Sequence, residues 1–190
     1  QYETACGVTV SRSDELATAD WETQVVDLTL DEVDLWRAVR RSYHALIHTA
    51  ERRYVILAHW KPDQAATVAG ICRDLHQHAA GRETRPAETW EMMGDWIVDR
   101  HAFAVIAYDG TVARGYAYVI QYGAWAYFGS GVGIDRNLSH ALVWTAMKHL
   151  KAAGVRWFEV GWLERRGDTS KDVSISFMKR GFGGTAMGAR

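Results

Sequence analysis

At 190 residues, 48% hydrophobic and with only two prolines, the chain is long enough to bury one substantial core and too apolar to stay disordered. Twenty-two Lys and Arg against 23 Asp and Glu exclude a protein that coats a polyanion with its whole surface, so any such contact needs a local cluster. Cys6 and Cys72 show neither CxxC nor zinc-knuckle spacing, and no apolar run nears the roughly 18 residues of a membrane span. The expectation is a metal-free, cytoplasmic protein without a transmembrane segment.

Residues 1–24 lack a sustained period and read as a lead-in to one domain over 25–190. Val25 to Leu28 reads as a short strand, and Thr29 with Glu32 as a capping box. Val33, Trp36, Val39, Tyr43, Leu46, Ile47 and Ala50 recur at three- and four-residue steps, predicting one helix of about 20 residues with an apolar stripe. Beside it runs a basic row, Arg37, Arg41, His44, His48 and Arg52, with no acid between Arg37 and Ala50. Such a row suits phosphate; the competing reading is a solvated face.

Residues 54–60 read as a strand, and Pro62-Asp63 opens a helix with stripe Ala66, Ala69, Leu75 and Ala79, closing at Gly81. Pro86 opens another, turning Trp90, Met93, Trp96 and Ile97 inward. Asp109-Gly110 predicts a type I′ hairpin pairing 102–108 with 111–121, and Tyr122-Gly123 turns the chain into a strand over 124–130. A helix over 138–153 capped by Asn137 or Ser139, a strand over 155–162 and a short helix over 172–180 complete the order.

A meander, a helix, one more strand and a closing helix resembles the GNAT core, an α+β (α/β) fold whose mixed, mostly antiparallel sheet is flanked by helices. Particular residues narrow the resemblance: Val26-Asp27-Leu28, Leu35-Trp36, Arg40-Arg41-Ser42-Tyr43, Ala80-Gly81-Arg82-Glu83-Thr84-Arg85, Glu88-Thr89-Trp90, the 138–144 stretch Leu-Ser-His-Ala-Leu-Val-Trp, Phe158-Glu159-Val160-Gly161, and above all Phe177-Met178-Lys179-Arg180-Gly181-Phe182-Gly183-Gly184. Together they resemble the second GNAT-like domain of the Fem-type aminoacyltransferases, over about 160 residues. Only that half is recognisable, which leaves a larger parent chain open.

The resemblance implies that Lys179 stabilises charge on the transferring carbonyl or meets the donor's terminal nucleotide; the alternative is a helix-end cation facing the dipole. It places Arg41, Ser42 and Tyr43 near phosphate-bearing substrate, as the basic row does Arg37, with core for Tyr43 and a surface hydroxyl for Ser42 as the alternatives. Arg82 and Trp90 fall in a further matched stretch and are candidates for substrate binding, and Asp135 and Arg136 lie at the usual rim of the site or else form a plain turn with a local ion pair. Glu159, mid-strand and opposite in face to Phe158 and Val160, is a candidate for the acceptor's ammonium or its proton. His140, near a helix start that disfavours its cation, is a candidate neutral base or else a structural histidine.

Two departures from acetyl-CoA enzymes set the expected donor. Where those carry Gln/Arg-x-x-Gly-x-Gly/Ala against a helix start, this chain reads Gly131-Val132-Gly133-Ile134-Asp135-Arg136-Asn137, with a carboxylate close to the pyrophosphate position. No tyrosine follows Tyr127 to protonate a leaving thiolate. The expectation is therefore an aminoacyltransferase joining an amino acid from aminoacyl-tRNA, as co-substrate and without resident cofactor, to an amine on a cell-wall precursor, peptide or small metabolite. The rivals are acyl-CoA- or carrier-thioester-dependent N-acyl transfer, and a non-catalytic half of a larger protein.

Overall fold

The computed structural model describes residues 2–3, 9–11, 21–135, 137–163 and 169–189. Its elements run β1 (Tyr2–Glu3), β2 (Thr9–Ser11), β3 (Trp21–Asp27), α1 (Glu32–Ala38), α2 (Arg41–Arg53) and β4 (Val55–His59). A 3-10 turn (Pro62–Gln64) leads into α3 (Ala65–Ala80) and α4 (Ala87–Val98), then β5 (Ala102–Asp109), β6 (Val112–Tyr122) and β7 (Trp125–Gly133). The chain continues through α5 (Leu138–Ala152), β8 (Trp157–Trp162), α6 (Ser170–Arg180) and β9 (Thr185–Ala189). These elements fall into two compact units, the first from residues 1–41, 122–127 and 150–190, the second from 42–121 and 128–149.

In the first unit β3 is the centre of a ladder, antiparallel to β8 on one edge and to β9 on the other. Short β2 and β1 extend the β9 side. β8 also pairs with β7, in parallel, over three rungs that end at Tyr127–Glu159. Phe158, Glu159 and Val160 are all buried, so β8 is covered on both faces. The β3–β8 register skips Val160, and Gly161 beyond the bulge takes φ 108°, a backbone conformation open to glycine.

In the second unit β4, β5 and β6 form an antiparallel meander. Ala102, Ala104, Ile106, Tyr116 and Tyr118 face one way and pack with Val68, Cys72 and Leu75 of α3 and Trp90, Met93 and Ile97 of α4. Phe103 faces the other way, its ring 4.6 Å from that of His149 on α5. The expected α+β class, a mostly antiparallel sheet flanked by helices, is what the chain forms: β3–β8, β3–β9, β4–β5 and β5–β6 pair antiparallel and β7–β8 pairs in parallel.

Several local expectations are corrected. The single helix predicted from residue 29 is two, because buried Val39 adopts extended backbone (φ −65°, ψ 132°) and the Arg40 N–H donates to the Gly181 carbonyl at 2.7 Å. A tertiary hydrogen bond thus overrides helical periodicity. The cap of α1 is Asp31, which accepts from the Asp34 N–H at 2.7 Å, while the Thr29 hydroxyl donates back to Asp27. On α3 Val68 and Cys72 replace exposed Ala66 and Ala79 in the stripe, since the helix starts three residues after Pro62. The β5–β6 turn has positive φ only at Gly110, the pattern of type II′ rather than I′. Strand β3 starts four residues ahead of Val25, and β9 follows a motif whose glycines masked any strand signal.

Candidate functional site

Lys179 lies on α6, which starts at a capping box between Thr169 and Asp172 and ends at Gly181. Its Nζ donates to the Trp162 carbonyl at 2.6 Å. A methyl group built on Gly161 would stand 3.2 Å from that Nζ and 3.8 Å from Cε2 of Tyr127, so the lysine lies across the bare backbone of the bulge. Arg40 ties the same helix down, donating to the Phe177 carbonyl at 3.0 Å with its guanidinium carbon 3.7 Å from the Phe177 ring centroid.

Glu159 stands on the last rung that β8 shares with β7, 1% exposed, and accepts a 2.8 Å hydrogen bond from the hydroxyl of Thr23. Burial pushes its carboxyl above the ordinary carboxylate range; the Thr23 hydrogen bond and the charge of Lys179 pull the other way. Burial likewise draws the Lys179 ammonium below its usual range, opposed by Glu159 and Asp172. Desolvation outweighs attraction for both partners, so each is drawn toward its neutral form. A buried acid and a half-buried amine of this kind suit proton exchange with a bound reactant.

The second unit holds a hydrogen-bonded cluster whose members, apart from Trp90, are not among the candidates that the sequence picks out. His76 Nδ1 lies 2.9 Å from Tyr116 Oη, which lies 2.8 Å from Ser130 Oγ. Arg85 donates to Ser130 Oγ at 3.2 Å and to Met93 Sδ at 3.7 Å, and its guanidinium carbon lies 5.1 Å from the Trp90 ring centroid. Burial, then the charge of Arg85, lowers the His76 pKa, and burial drives the Tyr116 phenol well above its usual range.

The remaining predicted residues belong to both units. Arg37 is an exposed α1 residue paired with Asp34 at 3.0 Å, and His48 and Lys148 share Glu51 at 3.4 and 3.2 Å. The basic row is therefore neither one helix face nor free of acids, because its acids lie at the row's ends. Arg41, Ser42 and Arg82 are exposed, whereas Tyr43 is buried with its ring edge-on to His140 at 4.2 Å. His140 Nδ1 is 3.3 Å from the Asn137 carbonyl. Asp135 accepts from Tyr54 Oη and lies 3.6 Å from Arg114 Nε, which hold its carboxyl below the usual range. Arg136 lies outside the described residues.

Sequence reasoning missed Thr23, which fell in the apparent lead-in, and Gly161, whose place at a bulge has no periodic signature. It also missed Arg85, and with it His76, Tyr116 and Ser130, which belong to three further elements. At the start of α5, a methyl group on Gly133 would fall 2.9 Å from Ser139 Oγ and 3.1 Å from Ser139 N, so the chain's own backbone covers this helix start. Gly131 and Gly133 are β7 residues and form no loop around it.

No protein-family model matches the chain, and no curated protein matches its sequence. Solved structures do match it. FemX superposes with TM-score 0.69 at 11% identity, over 87% of this chain and 59% of FemX. A C-terminal DUF2156 domain from Agrobacterium fabrum gives 0.67 at 13%, over 97% and 61%. L-PGS from Bacillus licheniformis gives 0.63 at 13%, over 89% and 59%. The chain thus has the GNAT-like fold these structures share, and it spans about three-fifths of their lengths.

Proposed function

We propose that this chain is an acyltransferase that moves an aminoacyl group from aminoacyl-tRNA to an amine, forming an amide. The observation that carries the reading is the seating of Lys179 over the bare Gly161 bulge, beside the Tyr127–Glu159 rung of β7 and β8 where Glu159 is buried. An ester carbonyl held there would develop negative charge as the amine attacks. Lys179 has N–H bonds to spare beyond the one given to Trp162, and these stabilise the oxyanion. Glu159 takes the proton that the attacking nitrogen loses and hands it to the departing ribose oxygen as the tetrahedral intermediate collapses, the ester C–O bond breaking while the amide C–N bond remains. No side-chain nucleophile is needed, because the ester is already activated.

An RNA carrier rather than coenzyme A is supported by the start of α5, where Gly133 packs against the Ser139 amide and Asp135 brings a negative charge three residues before the helix, an unfavourable setting for a pyrophosphate. The fold likeness to FemX agrees with the Fem-type resemblance of the motifs, which points to the same donor. The acceptor is an amine on a cell-wall precursor, peptide or small metabolite.

Incubation with charged tRNA and a panel of amines tests the reading. Amide formation is expected with aminoacyl-tRNA, and Lys179→Ala should lower its rate about 100-fold or more. Full turnover by Lys179→Ala, or turnover with acetyl-CoA in place of tRNA, sinks the proposal.

A further inference from the structure

Within the second unit Arg85 is a half-buried cation whose contacts among the described residues are all neutral: the hydroxyl of Ser130, the sulfur of Met93 and the face of Trp90. A desolvated guanidinium without a carboxylate is costly, and here two more donors beside it are unused. The Trp90 indole Nε1 and the Thr84 hydroxyl are buried atoms with no hydrogen-bond partner among the described residues, and Trp90 is only 3% exposed. Thr84 adjoins Arg85 in sequence. Trp90 is the fourth residue of α4, and long side chains in a helix fold back over the preceding turn. That turn starts at Pro86, which supplies no side-chain cap; the Thr89 N–H donates to the Pro86 carbonyl at 3.1 Å, which leaves the Ala87 and Glu88 amides for a ligand.

We propose that Arg85, the Trp90 indole, the Thr84 hydroxyl and the first turn of α4 form a binding site for a single carboxylate group, as on an amino acid or peptide. One guanidinium balances one negative charge and matches the two oxygens of a carboxylate in a fork. A phosphate dianion would leave excess charge among Tyr116, Ser130 and Met93, since the remaining donors are neutral. Trp90 also borders a groove of about 380 Å³ between α3 and α4, but Asp63, Glu91 and Asp95 line it, which assigns the anion to the Arg85 side.

Occupancy has a second consequence. The His76 pKa is lowered first by burial and then by the positive charge of Arg85, with Tyr116 as its hydrogen-bond partner and Trp90 as its ring neighbour. A carboxylate on Arg85 cancels the second cause and leaves the first, so His76 titrates at higher pH in the liganded protein.

The site does not depend on transfer at Lys179, and its test needs no turnover. Acetate and N-acetylglycine are titrated at constant ionic strength into the whole chain, following the Trp90 indole N–H resonance, identified by its loss in Trp90→Phe. A saturating downfield shift is expected, with the His76 titration moving to higher pH at saturation. Arg85→Gln should weaken binding about tenfold or more while the indole signals of the other tryptophans keep their dispersion. Thr84→Val, which leaves the cation in place, should weaken it several-fold. Absence of a saturating shift, equal affinity in Arg85→Gln or in Thr84→Val, or tighter binding of inorganic phosphate than of acetate would each overturn the assignment.

Discussion

The hydroxyl of Thr23 donates across the β3–β8 ladder to Glu159, 136 residues later in the chain, at 2.8 Å. It is the only direct hydrogen bond the Glu159 side chain makes among the described residues, and together with the charge of Lys179 it offsets part of the cost of burying a carboxyl in the centre of a strand.

Thr23→Val removes that donor at almost constant volume. The Glu159 pKa, already raised above 4.5 by burial, should rise further. A raised folded pKa gives stability that is fully present below the ordinary value and is lost as pH climbs through the folded one. The variant should therefore be close to the parent in acid and lose about 1–3 kcal/mol more by neutral pH. Urea unfolding at a series of pH values checks this, and Glu159→Gln should flatten the profile.

Gly161→Ala tests the bulge. Its φ of 108° is a strained conformation for alanine, and the new methyl meets Lys179 Nζ at 3.2 Å. A stability loss of about 1–3 kcal/mol is expected together with a fall in transfer rate, because the lysine is pushed off the carbonyl position. Stability recovered by a compensating mutation elsewhere, with the rate still low, would separate the two effects.

Gly184→Ala should be more damaging than Gly161→Ala. At φ 80° its methyl would land on the Val25 carbonyl, a backbone neighbour that has no rotamer to yield. The expected outcome is failure to seat β9 on β3, read as lost protection of β3 amides from hydrogen exchange.

His76 predicts an acid-side instability. Its folded pKa lies below the ordinary 6.5, so its contribution is fully present above that value and is lost as pH falls toward the lowered one. His149, desolvated beside Phe103, acts with the same sign. The difference between parent and His76→Gln unfolding curves isolates the first group: the variant should lose less stability on mild acidification.

The α3–α4 pair and the meander were legible because apolar spacing and Gly or Pro punctuation are local signals. Lys179 was legible through a motif, and Glu159 through strand alternation. What was not legible is long-range. The break at Val39 depends on a carbonyl at Gly181, the partner of Glu159 sits on a strand with no repeating pattern, and the Arg85 cluster draws single residues from α3, β6, β7 and the segment before α4. None of these leaves a period in its own stretch of sequence.

The glycine pair at 183–184 presses against Ala38 and Val25 while Gln24 donates its side-chain amide to the Gly183 carbonyl at 2.5 Å. Strand β3 is completed only by segments made about 130 to 170 residues later. During synthesis Glu159 has no cover from α6 and β9 until those elements have been made. Until then β3, rich in valine and open along both edges, is a sticky ribbon in need of shielding, and a chaperone that masks it should raise the yield of folded protein.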